Sequence, residues 1–331
     1  MKYSFIIPVY NRPEEIDELL NSISKQTYED DFEVVIIEDG SSISSEKICR
    51  KYANKLNINY IFKENTGPGA SRNYGMQRAK NDYFIILDSD CLLPEHYLES
   101  VDDFIQKNYV DCFGGPDTAD DTFTDIQKAI NYVMTSLLTT GGIRGNSKSV
   151  QKFEPRSFNM GLSRKAFEAT EGFGKIHPGE DPDLVIRLWQ KGFKTAFIED
   201  AFVYHKRRIS WAKFKKQVSK FGQTRAILNH WYPNTKKLTY WLPLCFSLGL
   251  ILSVLFAFLG RPQGIFVYGS YFIFLMLDSA RTNKSIKIGF LSVWAILVQF
   301  FSYGFSFLFA TMKLCFSSKK PETLFPHLFF K

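Results

Sequence analysis

Tyr83-Phe84-Ile85-Ile86-Leu87-Asp88-Ser89-Asp90 is the stretch on which the reading of this chain turns. Five apolar residues stop abruptly at a polar turn, the pattern of a strand buried on both faces of a parallel sheet. Open α/β sheets place their ligands at the carboxyl ends of such strands. Two carboxylates one residue apart at that point suit a hard divalent cation carrying a diphosphate. An Asp-x-Asp in a polar turn is also a common solvated loop, so the neighbouring segments have to decide.

Towards the amino terminus, Ser4–Ile7 reads as a strand closed by Pro8. After the Asn11-Arg12-Pro13 turn, Ile16, Leu19, Leu20 and Ile23 share one helical face. Phe32–Ile37 is a second strand ended by Glu38-Asp39-Gly40-Ser41-Ser42, followed by a helix over Glu46–Lys55 and a third strand over Ile58–Phe62. The loop Asn65-Thr66-Gly67-Pro68-Gly69 then leads into a helix bearing Arg72 and Asn73. This alternation predicts a doubly wound, mostly parallel sheet with flanking helices. Parallel strands share their carboxyl ends, so Pro8–Asn11, Asp39 and Asp88–Asp90 converge on one crevice. Gly67 and Gly69 would let the backbone approach a ligand, or belong to a plain loop before a helix. A Walker-type phosphate loop and a Gly-x-Gly-x-x-Gly fingerprint are both missing from the sequence. That disfavours nucleotidyl transfer, triphosphate hydrolysis and dinucleotide chemistry.

Four segments in this order, Phe5-Ile-Ile-Pro-Val-Tyr-Asn11, Val35-Ile-Ile-Glu-Asp-Gly-Ser-Ser42, Gly69-Ala-Ser-Arg-Asn-Tyr-Gly75 and Leu87-Asp-Ser-Asp90, resemble the motifs of the family 2 glycosyltransferases with the GT-A fold. The resemblance covers the chain to about His205 and implies a Rossmann-like, mostly parallel α/β sheet. It also implies roles for individual positions. Pro8, Val9, Tyr10 and Asn11 would line the nucleoside pocket, Asp39 would accept a hydrogen bond from the base, and Arg72 and Ser89 would sit near the nucleotide. Asp88 and Asp90 would be the metal-binding pair, Asp90 the more direct ligand of Mn2+ or Mg2+. A cation there stabilises charge developing on the leaving diphosphate without proton transfer.

Further along, Ile126–Leu138 reads as a helix, and Thr139–Ser149 as a loop, either a lid or an ordinary insertion. Phe158-Asn159-Met160-Gly161 resembles the family segment that closes over the donor sugar, which places Asn159 on the sugar side. Gly179-Glu180-Asp181-Pro182-Asp183 resembles the family's Glu-Asp motif at a helix start, with Asp181 as catalytic base and Glu180 and Arg187 beside the acceptor or donor sugar. Displacement at an anomeric carbon needs a carboxylate to take the acceptor's proton. Acidic residues in a first helical turn also serve simply to match the helix dipole. His205, at the end of an apolar run, is either structural or a contributor to the metal site, and Lys206, Arg207 and Arg208 follow it.

Composition divides the 331 residues in two. Up to residue 200 there are 23 Lys plus Arg against 32 Asp plus Glu, and beyond it 18 against 2, so the halves carry about −9 and +16. The basic residues of the second half flank long uncharged segments, Trp241–Gly260 and Ile288–Met312, with the shorter Ile265–Leu277 between them. That points to a membrane with anionic headgroups and no nucleic acid. Ser210–Trp231 carries Trp211, Phe214, Val218, Phe221 and Leu228 on one stripe beside Lys213, Lys215, Lys216 and Lys220, as expected of an interfacial helix. Five widely spaced cysteines suggest neither a disulfide framework nor a zinc site. After Met1 and Lys2 the chain opens on a strand without a signal-peptide pattern, so the first domain is expected to stay cytosolic.

The expected layout is a catalytic domain over 1–205, with its nucleotide-sugar half about 1–115 and its acceptor half about 116–205. An interfacial segment over 206–236, two to three transmembrane helices over 237–315 and a basic tail over 316–331 follow. The expected activity is inverting, metal-dependent transfer of one sugar from a nucleotide-diphosphate sugar, UDP-linked first, to a lipid-linked saccharide at the cytoplasmic face of the inner membrane. The processive Gln-x-x-Arg-Trp pattern does not follow Gln217 or Gln223. Transfer to polyprenyl phosphate, or nonenzymatic binding of a nucleotide sugar or partner, are the alternatives.

Overall fold

The computed structural model describes residues 1–118, 123–141, 153–205 and 210–330. It divides into two compact units, Met1–Asp120 with Gly145–Lys206 and Phe330–Lys331, and Asp121–Arg144 with Arg207–Phe329. The described residues 123–141, expected in the acceptor half, therefore cluster with the second unit. In chain order the elements are β1 (Tyr3–Val9), α1 (Pro13–Ile23), β2 (Glu33–Asp39), α2 (Glu46–Tyr52), β3 (Asn57–Lys63), α3 (Pro68–Arg78), β4 (Tyr83–Leu87), β5 (Cys91–Leu92), α4 (Tyr97–Lys107), β6 (Cys112–Gly114) and β7 (Asp117–Thr118). The second unit supplies α5 (Asp125–Thr135) and α6 (Leu137–Thr140). The first resumes with β8 (Asn159–Ser163), α7 (Arg164–Thr170), α8 (Glu180–Gln190), β9 (Thr195–Phe197) and β10 (Val203–His205). Then come α9 (Trp211–Trp231), α10 (Leu242–Phe258), α11 (Gln263–Thr282), α12 (Ile286–Cys315) and α13 (Pro321–Leu324).

In the first unit the strand order is β3-β2-β1-β4-β8-β6-β9, with β5-β10-β7 as a smaller sheet. Pairings β3-β2, β2-β1, β1-β4 and β6-β9 are parallel, whereas β8 runs antiparallel to both β4 and β6. Side chains of a strand alternate between faces, and both faces here are buried. Phe5, Ile7 and Val9 of β1 with Tyr83, Ile85 and Leu87 of β4 pack against Ile16, Leu19 and Leu20 of α1 and Leu98 and Val101 of α4. Ile6, Phe84 and Ile86 face the other way, onto Met76 of α3, Phe167 of α7 and Leu184 and Leu188 of α8. This three-layer arrangement explains why the strands read as unbroken apolar runs.

Phe158–Gly161, expected to close over the donor sugar, is instead built largely into β8 between β4 and β6. Its Gly161 lies under the Phe113 ring so closely that a Cβ would overlap the ring. The chain after Gly141 in the expected Thr139–Ser149 lid lies outside the described residues, as do Lys206, Arg207 and Arg208.

In the second unit, Leu238–Phe258 and Ile286–Cys315 are long and apolar enough to cross a membrane by length and composition. The intervening α11 carries Asp278 and Arg281. The stripe of α9 expected to lie on lipid is used for packing: Phe214 and Val218 are buried with Ile296 and Phe300 of α12 and Ile130 and Val133 of α5. A Cβ at Gly222 would come within 2.5 Å of the Tyr303 carbonyl oxygen, so the α9 and α12 backbones approach closely. An apolar helical stripe does not by itself distinguish lipid from a neighbouring helix.

Gly161→Ala is expected to destabilise the first unit by ~1–3 kcal/mol through overpacking against Phe113. Thermal denaturation should show a lowered Tm, and adding Phe113→Leu should recover part of the loss.

Candidate active site

The parallel register brings the carboxyl ends of β1, β2 and β4 to one edge, with Val9 beside Glu38 and Asp39 beside Lys63. At the β1 end, Val9 is buried and Tyr10 is exposed at the rim. Asn11 adopts a positive φ of 55°, which its short polar side chain tolerates. From there its Oδ1 accepts hydrogen bonds from the N–H groups of Ser42 (2.8 Å) and Ile43 (3.0 Å), tying β1 to the loop after β2. Asp39 is buried, and its carboxylate accepts the backbone N–H groups of Thr66 (3.0 Å) and Gly67 (2.9 Å) and pairs with Lys63. The residue expected at the base thus also organises the loop leading into α3.

Arg72 stands at the centre. It is buried on α3, and its Nη2 donates to Asp88 Oδ1 at 2.7 Å while Nη1 reaches Glu180 Oε1 at 3.4 Å. The Phe173 ring lies 5.3 Å from its guanidinium carbon. One cation therefore joins the Asp-x-Asp turn to the start of α8. Burial opposes the charged guanidinium, but Asp88, Glu180 and Asp181 outweigh it and keep it protonated. Its Nε is buried and has no hydrogen-bond partner among the described atoms. Asp90 pairs with a second arginine, Arg12, at 3.2 Å, and Arg12 also reaches Glu15 at 2.9 Å. Ser89 is buried and donates to Glu15 at 3.2 Å.

At the α8 end, Glu180 Oε1 also faces His177 Nδ1 at 2.8 Å, and its Oε2 accepts the Gly179 N–H at 2.9 Å. Burial would raise the Glu180 carboxyl, but His177 and then Arg72 outweigh it and hold it below the usual glutamate range. Asp181 moves the other way: burial first, and the neighbouring Glu180 charge second, push it above the usual aspartate range against Arg72, Arg156 and Ser157. Its Oδ1 is buried without a hydrogen-bond partner among the described atoms. Two adjacent carboxylates held in different protonation tendencies are the pattern expected of a base and its support.

The structure thus brings together Pro8–Asn11, Asp39, Arg72, Asp88–Asp90 and Glu180–Asp181. Two other candidates have structural partners. Asn159, opposite Leu87 at the end of β4, is a buried crosslink in β8, donating to Ala201 O at 2.7 Å and accepting from Tyr97 Oη at 2.6 Å. Arg187 is engaged by Asp183 at 2.6 Å and by the carbonyls of Thr170 and Gly172, so it braces the turn after α7. The His205 backbone pairs with Cys91, the residue after Asp90, while its side chain lies outside what is described. Arg12, Glu15, Lys63, Phe173 and His177 are not among the candidates named from the sequence. The i,i+3 spacings Arg12 to Glu15 and His177 to Glu180 are the local traces of them.

Five carboxylates, Glu15, Asp88, Asp90, Glu180 and Asp181, face three guanidiniums, Arg12, Arg72 and Arg156, among the described residues. A polyanionic ligand in so acidic a site would need added positive charge. The two strand-end carboxylates, partly exposed, fit a cation that takes its remaining ligands from phosphate and water. No group of three or more His, Cys, Asp or Glu side chains forms an all-protein cage among the described residues.

A family model, glycosyl transferase family 2, matches residues 4–170. The poly(ribitol-phosphate) beta-N-acetylglucosaminyltransferase TarS of Staphylococcus aureus is 36% identical over 114 residues, 34% of this chain and 20% of TarS. The minor teichoic acid biosynthesis protein GgaB of Bacillus subtilis is 36% identical over 119 residues, 34% of this chain and 13% of GgaB. The glycosyltransferase GlyG of Streptococcus pneumoniae is 25% identical over 240 residues, 65% of this chain and 79% of GlyG. The chain spans only about a fifth of the length of TarS. Among solved structures, the mannosyltransferase PcManGT from Pyrobaculum calidifontis, in complex with GDP-Man and Mn2+, matches 96% of this chain and 88% of its own with a TM-score of 0.57 at 15% identity. That likeness shows the GT-A fold. The family match spans half of the chain, from β1 through α7, and includes Asp39, Arg72, Asp88 and Asp90, so this chain belongs to glycosyl transferase family 2.

Proposed function

We propose that the chain is an inverting, metal-dependent transferase that moves one hexosyl or N-acetylhexosaminyl group from a nucleotide-diphosphate sugar, UDP-linked first, to a lipid-linked saccharide. The observation that carries the reading is Asp181. Its carboxylate has its proton affinity raised by burial and by Glu180, keeps one oxygen without a partner among the described atoms, and belongs to the group that Arg72 ties to Asp88. In the proposed step an acceptor hydroxyl gives its proton to Asp181 as its oxygen bonds to the anomeric carbon. The bond from that carbon to the diphosphate oxygen breaks, and the nucleoside diphosphate leaves with the electron pair. One such displacement inverts the anomeric centre. Mn2+ or Mg2+, held by Asp90 and Asp88, would supply the charge that offsets the leaving diphosphate. Arg72 fixes Asp88 and Glu180, and Asp39 with Pro8–Asn11 forms the nucleoside side.

The acceptor class and place rest on two supports. TarS and GgaB bear names tied to poly(ribitol-phosphate) and teichoic acid. The second unit also exposes large apolar side chains along its candidate spans, Leu252 at 51%, Phe290 at 63% and Phe309 at 62%, a surface that suits lipid better than water. We place the enzyme in the cell membrane on this basis, with the catalytic unit cytoplasmic and the lysines of the second half near anionic lipid.

Asp181→Asn is expected to lower kcat by roughly 10²–10⁴ while nucleotide binding persists, measured by nucleoside-diphosphate release. Full activity of Asp181→Asn on polyprenyl phosphate would favour that already anionic acceptor instead. Asp90→Ala should abolish the stimulation of release by Mn2+. Because the base works deprotonated, the rate should fall as pH drops through the Asp181 pKa. That acid limb should lie above the ordinary aspartate value of about 3.9. Glu180→Gln removes a charge that raises Asp181, so its acid limb should move to lower pH.

A further inference from the structure

Phe330 is remote from the site in sequence but belongs to the first unit. Its backbone N–H donates to Lys175 O at 3.1 Å. Its ring lies 5.5 Å, centroid to centroid, from the His177 imidazole. It also covers Gly67 so closely that a Cβ there would overlap the ring. Gly67 has a φ of +91°, a conformation side-chain-bearing residues rarely adopt, so space and backbone both require glycine beneath Phe330. Each anchor leads into the site. The Gly67 N–H holds the Asp39 carboxylate, and His177 holds Glu180, the neighbour of Asp181.

We propose that Phe330 is a positioning residue: it clamps the Gly67 turn to the Lys175–Gly179 turn, so that the Asp39 loop and the Glu180–Asp181 pair move as one body. The proposal rests on the transferase reading for its consequence. Nucleoside binding on the Asp39 side steadies the base through the clamp, and loss of the ring loosens the two turns, which stay joined through Arg72–Glu180 and the Asn73–Phe173 hydrogen bonds.

Hydrogen–deuterium exchange on the full chain tests this, using wild type, Phe330→Ala and Phe330→Tyr with and without UDP, alongside steady-state kinetics. In Phe330→Ala, amides of 64–67 and of 175–181 are both expected to exchange about tenfold faster, the equivalent of ~1.4 kcal/mol. Those of β1 to β4 should not change. UDP protects 175–181 markedly less in Phe330→Ala than in wild type. Turnover falls about tenfold, with a smaller change in donor KM, because the displaced group is the base. Phe330→Tyr, which keeps the ring, restores both readouts. If Phe330→Ala does not fold, Phe330→Leu replaces it and should show the same paired rise. A rise in only one of the two segments, a rise across the whole sheet, or UDP protection undiminished by loss of the ring overturns the clamp. Paired exchange changes in a chain that turns over no nucleotide sugar uphold the clamp and overturn the transferase reading.

Discussion

The buried guanidinium of Arg72 is the constraint on which the site depends. A cation taken out of water is costly, and only close opposite charges offset that cost. Asp88 at 2.7 Å and Glu180 at 3.4 Å do so, with the Phe173 ring alongside. Every element around the site serves to bring these partners together. β4 delivers Asp88, the Gly67-Pro68 turn starts α3 at the right edge of the sheet, and Gly75 lets α3 settle against Ile6 and Ile37. The start of α8 then presents Glu180. Because Glu180 is committed to Arg72 and His177, it stays charged. Its adjacent charge, with burial, raises the proton affinity of Asp181. One salt-bridge network therefore joins the Asp-x-Asp turn to the start of α8 and, through Glu180, raises the proton affinity of Asp181.

The second unit follows a different physics. Its long helices expose apolar faces and bury a few polar contacts. Ser279 and Ser292 meet Oγ to Oγ at 2.6 Å, Tyr132 Oη donates to Asp278 at 2.5 Å, and Gln299 Nε2 donates to Val133 O at 3.4 Å. Such contacts fix register where apolar packing alone specifies it weakly. They also explain why α11 carries an Asp within an otherwise apolar run: its carboxylate accepts from α5.

The sequence made β1 to β4 and α1 to α3 legible because their signals are local. The apolar runs stop at polar turns, and the turns fall where parallel strands share an edge. The placement of Asp39, Asp88, Asp90, Glu180 and Asp181 was legible for the same reason, since each sits at or just beyond the end of an element, whereas Arg72 lies inside α3 and its two carboxylate partners had no local sign. The partners of Asn159 were not legible because β8 enters between β4 and β6 by a long-range antiparallel pairing that no spacing announces. The Arg187 ion pair was legible, since Asp183 stands four residues before it, the spacing of a helical ion pair. Phe330 gave no signal, because its contacts join segments over 150 residues apart, whereas His177 stands three residues before Glu180, a spacing that is visible in the sequence. The stripe on α9 was visible, but which apolar surface covers it was not.

The proposed transfer is a single displacement, with Asp181 as base, at the site Arg72 organises. Proton NMR of the product formed by the full chain from an α-linked nucleotide sugar tests this, through the anomeric coupling constant of the first product to accumulate. A β-linked sugar is the expected result. An α-linked product would mean two displacements or another course at the anomeric carbon, and would contradict it.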